Sequence, residues 1–232
     1  MVFEAVVFDF DGLLLETEGP VFQSWAEAYE EHGQELSLDA WLVTIGRVDH
    51  ADPAEELERR LGRPLTQDER ERRRSRRDEL LMAMGPSAGA AECLAEARHL
   101  GLRTAVASSS AERWVVPHLE RLGLSGYIDR FSCYDGTVPA KPWPDLYLRA
   151  VDMLGVAPRR AVAFEDSHNG LRAAKAAGLA CVVVPSPMTA TMDFALADRV
   201  IDRLGRPPLA QLLAELAPGR EAVARPDGSA AG

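Results

Sequence analysis

Hydrophobic and polar positions along this chain fall into three regimes. Residues 4–9, EAVVFD, form a short apolar run that predicts a buried strand ending in polar residues. The next stretch, from Thr17 to about Gly85, reads as helical: a helix over Pro20–His32, a helix start at Ser37–Leu38–Asp39, and helices over Pro53–Leu61 and Thr66–Met84. Asp52 and Thr66 suit the N-cap position, with Glu55 and Glu69 three residues on, as in a capping box. No strand is predicted in this stretch.

After Gly85–Pro86 helices and strands alternate. A helix over Ala88–Leu100 leads to a strand at Arg103–Ala107 and a helix at Glu112–Leu122. A helix over Pro144–Leu154 precedes a strand at Ala161–Phe164. A helix over Asn169–Ala177 precedes a strand at Ala180–Val184. Apolar runs such as Cys181–Val184 suit strands covered on both faces, and strand–helix alternation implies a parallel sheet with right-handed crossovers. The expected fold is therefore α/β. A Rossmann-like parallel core (1–16 and 86–218) is interrupted after its first strand by an α-helical cap (17–85). The Ala-, Gly-, Pro- and Arg-rich tail (219–232) is expected to be disordered.

The chain has 232 residues, enough for one core and a small accessory domain. A hydrophobic fraction of 47% and a charged fraction of 27% suit a globular protein. No apolar run approaches the ~20 residues needed to cross a bilayer, and the first ten residues lack the features of a signal peptide. Cys93, Cys133 and Cys181 stand far apart, as reduced thiols do. A formal net charge of −10 disfavours nucleic acid and anionic membranes as partners. We therefore expect a cytoplasmic monomer that engages neither. The same charge means that a phosphate site must be locally positive. Lys141 and Lys175 are the only lysines among 26 basic residues, so a compact ammonium at 141 stands out.

Four polar clusters follow predicted strands or open predicted helices, where ligands of open α/β sheets bind. In Asp9–Phe10–Asp11–Gly12, residues two apart leave an extended strand on one face, so both carboxylates can enter one site while Phe10 packs away. Two adjacent carboxylates raise one another's pKa unless a cation intervenes. In Ala107–Ser108–Ser109–Ser110, hydroxyls and helix-start amides suit an anion or simply an N-cap. In Lys141–Pro142–Trp143–Pro144–Asp145, two prolines stiffen the loop that carries the lysine. In Phe164–Glu165–Asp166–Ser167, two carboxylates suit a hard metal ion, with helix capping by Asp166 or Ser167 as the plainer role.

Together, DFDG at 9–12, SSS at 108–110, KPWPD at 141–145 and FEDSHNG at 164–170 resemble the four motifs of the haloacid dehalogenase-like superfamily. DFDGLLLETE and KPWPD are similar to its beta-phosphoglucomutase-like group, and the helical insertion lies where that superfamily's type-1 cap lies. The resemblance implies a magnesium-dependent phosphatase acting on a small phosphorylated metabolite. Asp9 would be the nucleophile and Asp11 the general acid and base. Ser108, Ser109 and Lys141 would bind the phosphoryl group. Magnesium would be held by Asp9, the Asp11 carbonyl and Asp166, with Glu165 close by. The alternative it implies is a sugar phosphomutase, and a non-catalytic binding protein is disfavoured by the intact motif residues.

Some positions depart from relatives. The histidine that hexose-phosphate mutases carry after the first motif has Val21 near its place. The insertion has no lysine, which disfavours Schiff-base chemistry. Thr44–Ile45–Gly46–Arg47 resembles a cap loop that touches substrate, so Arg47 is a candidate contact. The run Arg72–Arg77 among acidic residues reads as a salt-bridged helix face.

Overall fold

The computed structural model describes residues 2–42, 45 and 52–217. Arg47 lies outside them, as does the tail. The first strand, β1 (Ala5–Phe8), sits at the centre of a six-stranded parallel sheet. Four helices follow it: α1 (Glu18–Glu30), α2 (Leu38–Leu42), α3 (Pro53–Leu61) and α4 (Gln67–Met82). Then come α5 (Ala90–His99), β2 (Arg103–Ser108), α6 (Glu112–Arg121), β3 (Arg130–Cys133), α7 (Asp145–Leu154), β4 (Ala161–Glu165), α8 (His168–Ala176), β5 (Ala180–Val183), β6 (Arg199–Val200) and α9 (Leu209–Leu216). The sheet order is β3-β2-β1-β4-β5-β6. Val6 pairs with Thr104 on one side and Val162 on the other, so β1 is flanked by β2 and β4.

Both faces of β1 are apolar because both are covered. Val6 and Phe8 pack with Leu94 of α5, Val115 and Leu119 of α6, and Leu212 of α9. Ala5 and Val7 point the other way, against Leu146 and Tyr147 of α7 and Leu171 of α8. Phe8 also stacks on Phe164 of β4, with centroids 5.1 Å apart. The result is the expected three-layer α/β core.

Helices α1–α4 supply no strand among the described residues and gather a separate core of Trp25, Tyr29, Trp41, Ile45, Ala54, Leu57 and Leu65. Thr66 makes the capping box with Glu69 at the start of α4, and Asp52 caps α3 by accepting from Ala54 N at 2.8 Å. Hydrogen bonds fix where the chain re-enters the sheet layer and hold the end of α4 against it. Ser87 N donates to Leu14 O at 3.0 Å, and Arg121 of α6 donates to the carbonyls of Leu81 and Met84 at the end of α4.

Candidate active site

The order of the sheet brings the ends of β1, β2 and β4 side by side, and each ends in polar residues. Asp9 follows β1, and its N–H donates to Phe164 O at 2.9 Å, so the ladder continues one residue past the strand. Phe10 turns into the core. The chain then reverses through Gly12, whose φ of +82° is open to glycine. A Cβ there would stand 2.2 Å from Asp166 Oδ2, so glycine also makes room for that carboxylate. Gly170 does the same for Glu165, whose carboxylate would meet a Cβ at 2.0 Å. Ser167 caps α8, accepting from Gly170 N at 3.2 Å.

One cavity of about 410 Å³ collects these residues. Asp9, Asp11, Ser108, Ser109, Lys141 and Asp166 line it from the sheet, and Val21, Trp25 and Trp41 wall it from the helical unit. Lys141 is buried and its ammonium bonds both Asp9 and Glu165. Tyr147 of α7 donates its hydroxyl to Glu165, which also accepts from Asp166 N at 3.3 Å. Glu165 is thus occupied by protein donors beneath the cavity. Burial pushes Asp9 well above the ordinary carboxylate value; Lys141 pulls it back, and Glu165 and Asp11 add to the rise. Asp166 is raised by burial and then by the charges of Asp9, Glu165 and Glu18.

The carboxylates of Asp9, Glu165 and Asp166 offer oxygens within 4.8 Å of one another. Asp166 Oδ2 is buried with no hydrogen-bond partner. An all-oxygen, acceptor-only cluster with an orphaned atom fits a hard divalent cation. Ser109 Oγ is likewise buried without a partner, facing the same cavity, and fits an incoming oxygen acceptor.

Asp11 is held differently. Its Oδ1 accepts from Thr17 Oγ1 and Trp114 Nε1, each at 2.9 Å. Its Oδ2 accepts from Ser110 Oγ at 2.6 Å and Ser108 Oγ at 3.4 Å. Thr17, Trp114, Tyr147 and Glu18 are site residues that sequence reasoning did not select. Glu18, half-buried in the cavity wall, is raised to about 8 by burial, then by Asp11 and Glu16.

Residues 3–178 match the family model for a haloacid dehalogenase-like hydrolase. This chain belongs to that family. It falls in the beta-phosphoglucomutase-like group and is a phosphoric monoester hydrolase. The hydrolase is 39% identical over 214 residues to the putative phosphatase YhcW of Bacillus subtilis, covering 92% of this chain and 97% of the relative. CbbY from Rhodobacter sphaeroides, solved in complex with phosphate, superposes with a TM-score of 0.69 at 33% identity, over 90% of this chain and 99% of CbbY. A putative beta-phosphoglucomutase from Thermotoga maritima gives 0.74 at 26% identity, over 91% and 99%. Among the described residues no helix is long and apolar enough to cross a membrane.

Proposed function

We propose that this hydrolase is a magnesium-dependent phosphatase that cleaves a small phosphomonoester through an aspartyl-phosphate on Asp9. The observation that carries the reading is the Asp9–Glu165–Asp166 cluster, with Asp166 Oδ2 unpartnered and Lys141 bonded to Asp9. Asp9, Asp166 and the Asp11 carbonyl would hold the ion, with Glu165 orienting Lys141 behind them. Bound there, magnesium supplies positive charge to the phosphoryl oxygens.

The chain's own residues do the rest. The Asp9 carboxylate attacks phosphorus, and the bond from phosphorus to the leaving alcohol oxygen breaks. Asp11 gives that oxygen its proton. It then takes a proton from the water that attacks the aspartyl-phosphate, which releases phosphate and restores Asp9. Lys141 offsets the charge gathering on Asp9 and the phosphoryl oxygens, and Ser108 and Ser109 position them. Residues 17–85 act as a lid that excludes bulk water, a role favoured by their separate core and their share of the cavity wall. Val21 lines that wall near the place where hexose-phosphate mutases carry a histidine, and the insertion has no lysine, which favours a phosphatase over a mutase.

Phosphate release from a panel of phosphorylated metabolites, with magnesium and with excess chelator, tests the reading. Turnover should require magnesium and vanish in Asp9→Asn. Full activity in chelator, or a trapped phosphopeptide that lacks Asp9, overturns it.

A further inference from the structure

The helical unit is anchored to the sheet layer at the end of α4, where Arg121 holds the carbonyls of Leu81 and Met84. It meets the sheet layer again at a second place, past the ends of β4 and β5. There the side-chain amide of Asn169 donates to Ile45 O at 3.0 Å. Ile45 belongs both to the separate core of the helical unit and to the wall of the active-site cavity. Met188 and Met192, from the segment after β5, are half-buried against that same core.

The sheet layer does not need these side chains for its own structure. Ser167 already caps α8, and Asn169 is the second residue of that helix, where asparagine is a weaker helix former than alanine. Its amide is spent across the boundary instead. The segment that carries the two methionines is braced from within. Thr189 N donates to Ser186 O at 3.0 Å, Ser186 N to Thr189 Oγ1 at 2.9 Å, and Met192 N to Thr189 O at 2.9 Å. Ser186 and Thr189 are both buried. His168, the first residue of α8, ties the same segment down, with its Nδ1 2.8 Å from Asp193 O. A turn fixed to the sheet layer thus presents two thioethers to the helical unit. One neutral hydrogen bond and two adaptable side chains make a contact that can bias a closed position and still release.

We propose that Asn169, with Met188 and Met192, is the seat on which the helical unit closes over the cavity. Asn169 does not line the cavity. It is a positioning residue, which acts by holding Ile45 in the wall against the leaving group. This rests on the lid role proposed above and names the contact on which that lid lands.

The test compares the wild type with Asn169→Ala and with the double variant Met188→Ala/Met192→Ala, in the full chain with magnesium. Hydrogen exchange around Trp41 and Ile45 should quicken by at least about twofold in each variant, while β1 and β4 exchange as in the wild type. KM for p-nitrophenyl phosphate should rise roughly two- to tenfold in Asn169→Ala, the span of one neutral hydrogen bond. Inhibition by inorganic phosphate, held as proposed by Ser108, Ser109 and Lys141, should not change. Unaltered exchange around Trp41 in both variants overturns the seat and leaves the phosphatase standing. So does a shift in KM matched by an equal shift in phosphate inhibition, which would place the defect in the phosphoryl site. Quickened exchange in β1 and β4 of both variants would mean a general loss of stability and would also overturn the seat. If the wild type does not hydrolyse p-nitrophenyl phosphate, the phosphatase reading fails and exchange alone decides the seat.

Discussion

The indole N–H of Trp114 donates to Asp11 Oδ1 at 2.9 Å, and the Arg77 guanidinium lies over the face of the same ring, 5.0 Å from its centre. Trp114 belongs to α6 of the sheet layer and Arg77 to α4 of the helical unit. The carboxylate proposed for proton transfer is therefore tied to a side chain that the helical unit touches. Trp114→Phe keeps an aromatic ring under Arg77 and removes the donor. Three other donors still hold Asp11, so we expect kcat to fall about tenfold, the lower end for losing a hydrogen bond to a charged group, with KM little changed. An unaltered kcat would show that Thr17 and the serines orient Asp11 unaided.

Glu18 gives the fold a pH dependence of unusual sign. Its pKa is raised to about 8, so between its unfolded value and 8 the folded state holds a proton that the unfolded state has lost. The stability that goes with that proton is complete in acid and is lost as pH rises through about 8. Glu18→Gln mimics the protonated form. With chelator present, it should match the wild type in Tm near pH 5 and exceed it by roughly 2 °C or more at pH 9. A gain of equal size at both pH values would remove Glu18 titration as its cause.

Asp166 should trade stability for metal binding. Burial and three neighbouring carboxylates raise its pKa, so in the absence of a cation Asp166→Asn relieves repulsion and should raise Tm. Magnesium bound as proposed, to the folded site alone, should raise the wild-type Tm by mass action. It should do so far less in the variant. An equal magnesium response in both proteins would place the ion elsewhere.

The convergence of Asp9, Asp11, Ser108, Ser109, Lys141 and Asp166 on one cavity was legible in the sequence because a parallel sheet puts strand ends on one edge, and four polar clusters stood at those ends or at helix starts. The four inner strands, β1, β2, β4 and β5, were equally legible as apolar runs. β3 was not: RFSC has one large apolar residue and begins at exposed Arg130. The two-residue β6 is exposed along its length and carries no period at all. Trp114 and Tyr147 escaped notice because the way a helix residue faces is set by how its helix packs, which local pattern does not encode. The pairing of the α4 arginines is of the same kind. Spacing predicts ion pairs for the face, but which arginines find a carboxylate depends on where α1 and α3 are placed, as with Arg76 on Glu27 and Arg70 on Glu58.

Lys141 is the residue whose loss should cost most. Burial works against its charge, yet Asp9 and Glu165 hold its pKa above the ordinary lysine value. Lys141→Met leaves those two carboxylates buried and facing each other, and breaking a buried pair costs about 3–5 kcal/mol. In a domain of this size that corresponds to roughly 6–20 °C in Tm at pH 8. The sign with pH follows from which groups titrate. Without the ammonium, the folded variant is driven to protonate Asp9, whose carboxyl burial already holds well above the ordinary value, so the penalty shrinks as pH falls. The Tm gap between wild type and variant should therefore be smaller at pH 5 than at pH 8, and turnover should be lost at both. A gap that stayed constant with pH would mean that lost packing, and not the two uncompensated carboxylates, destabilises the variant.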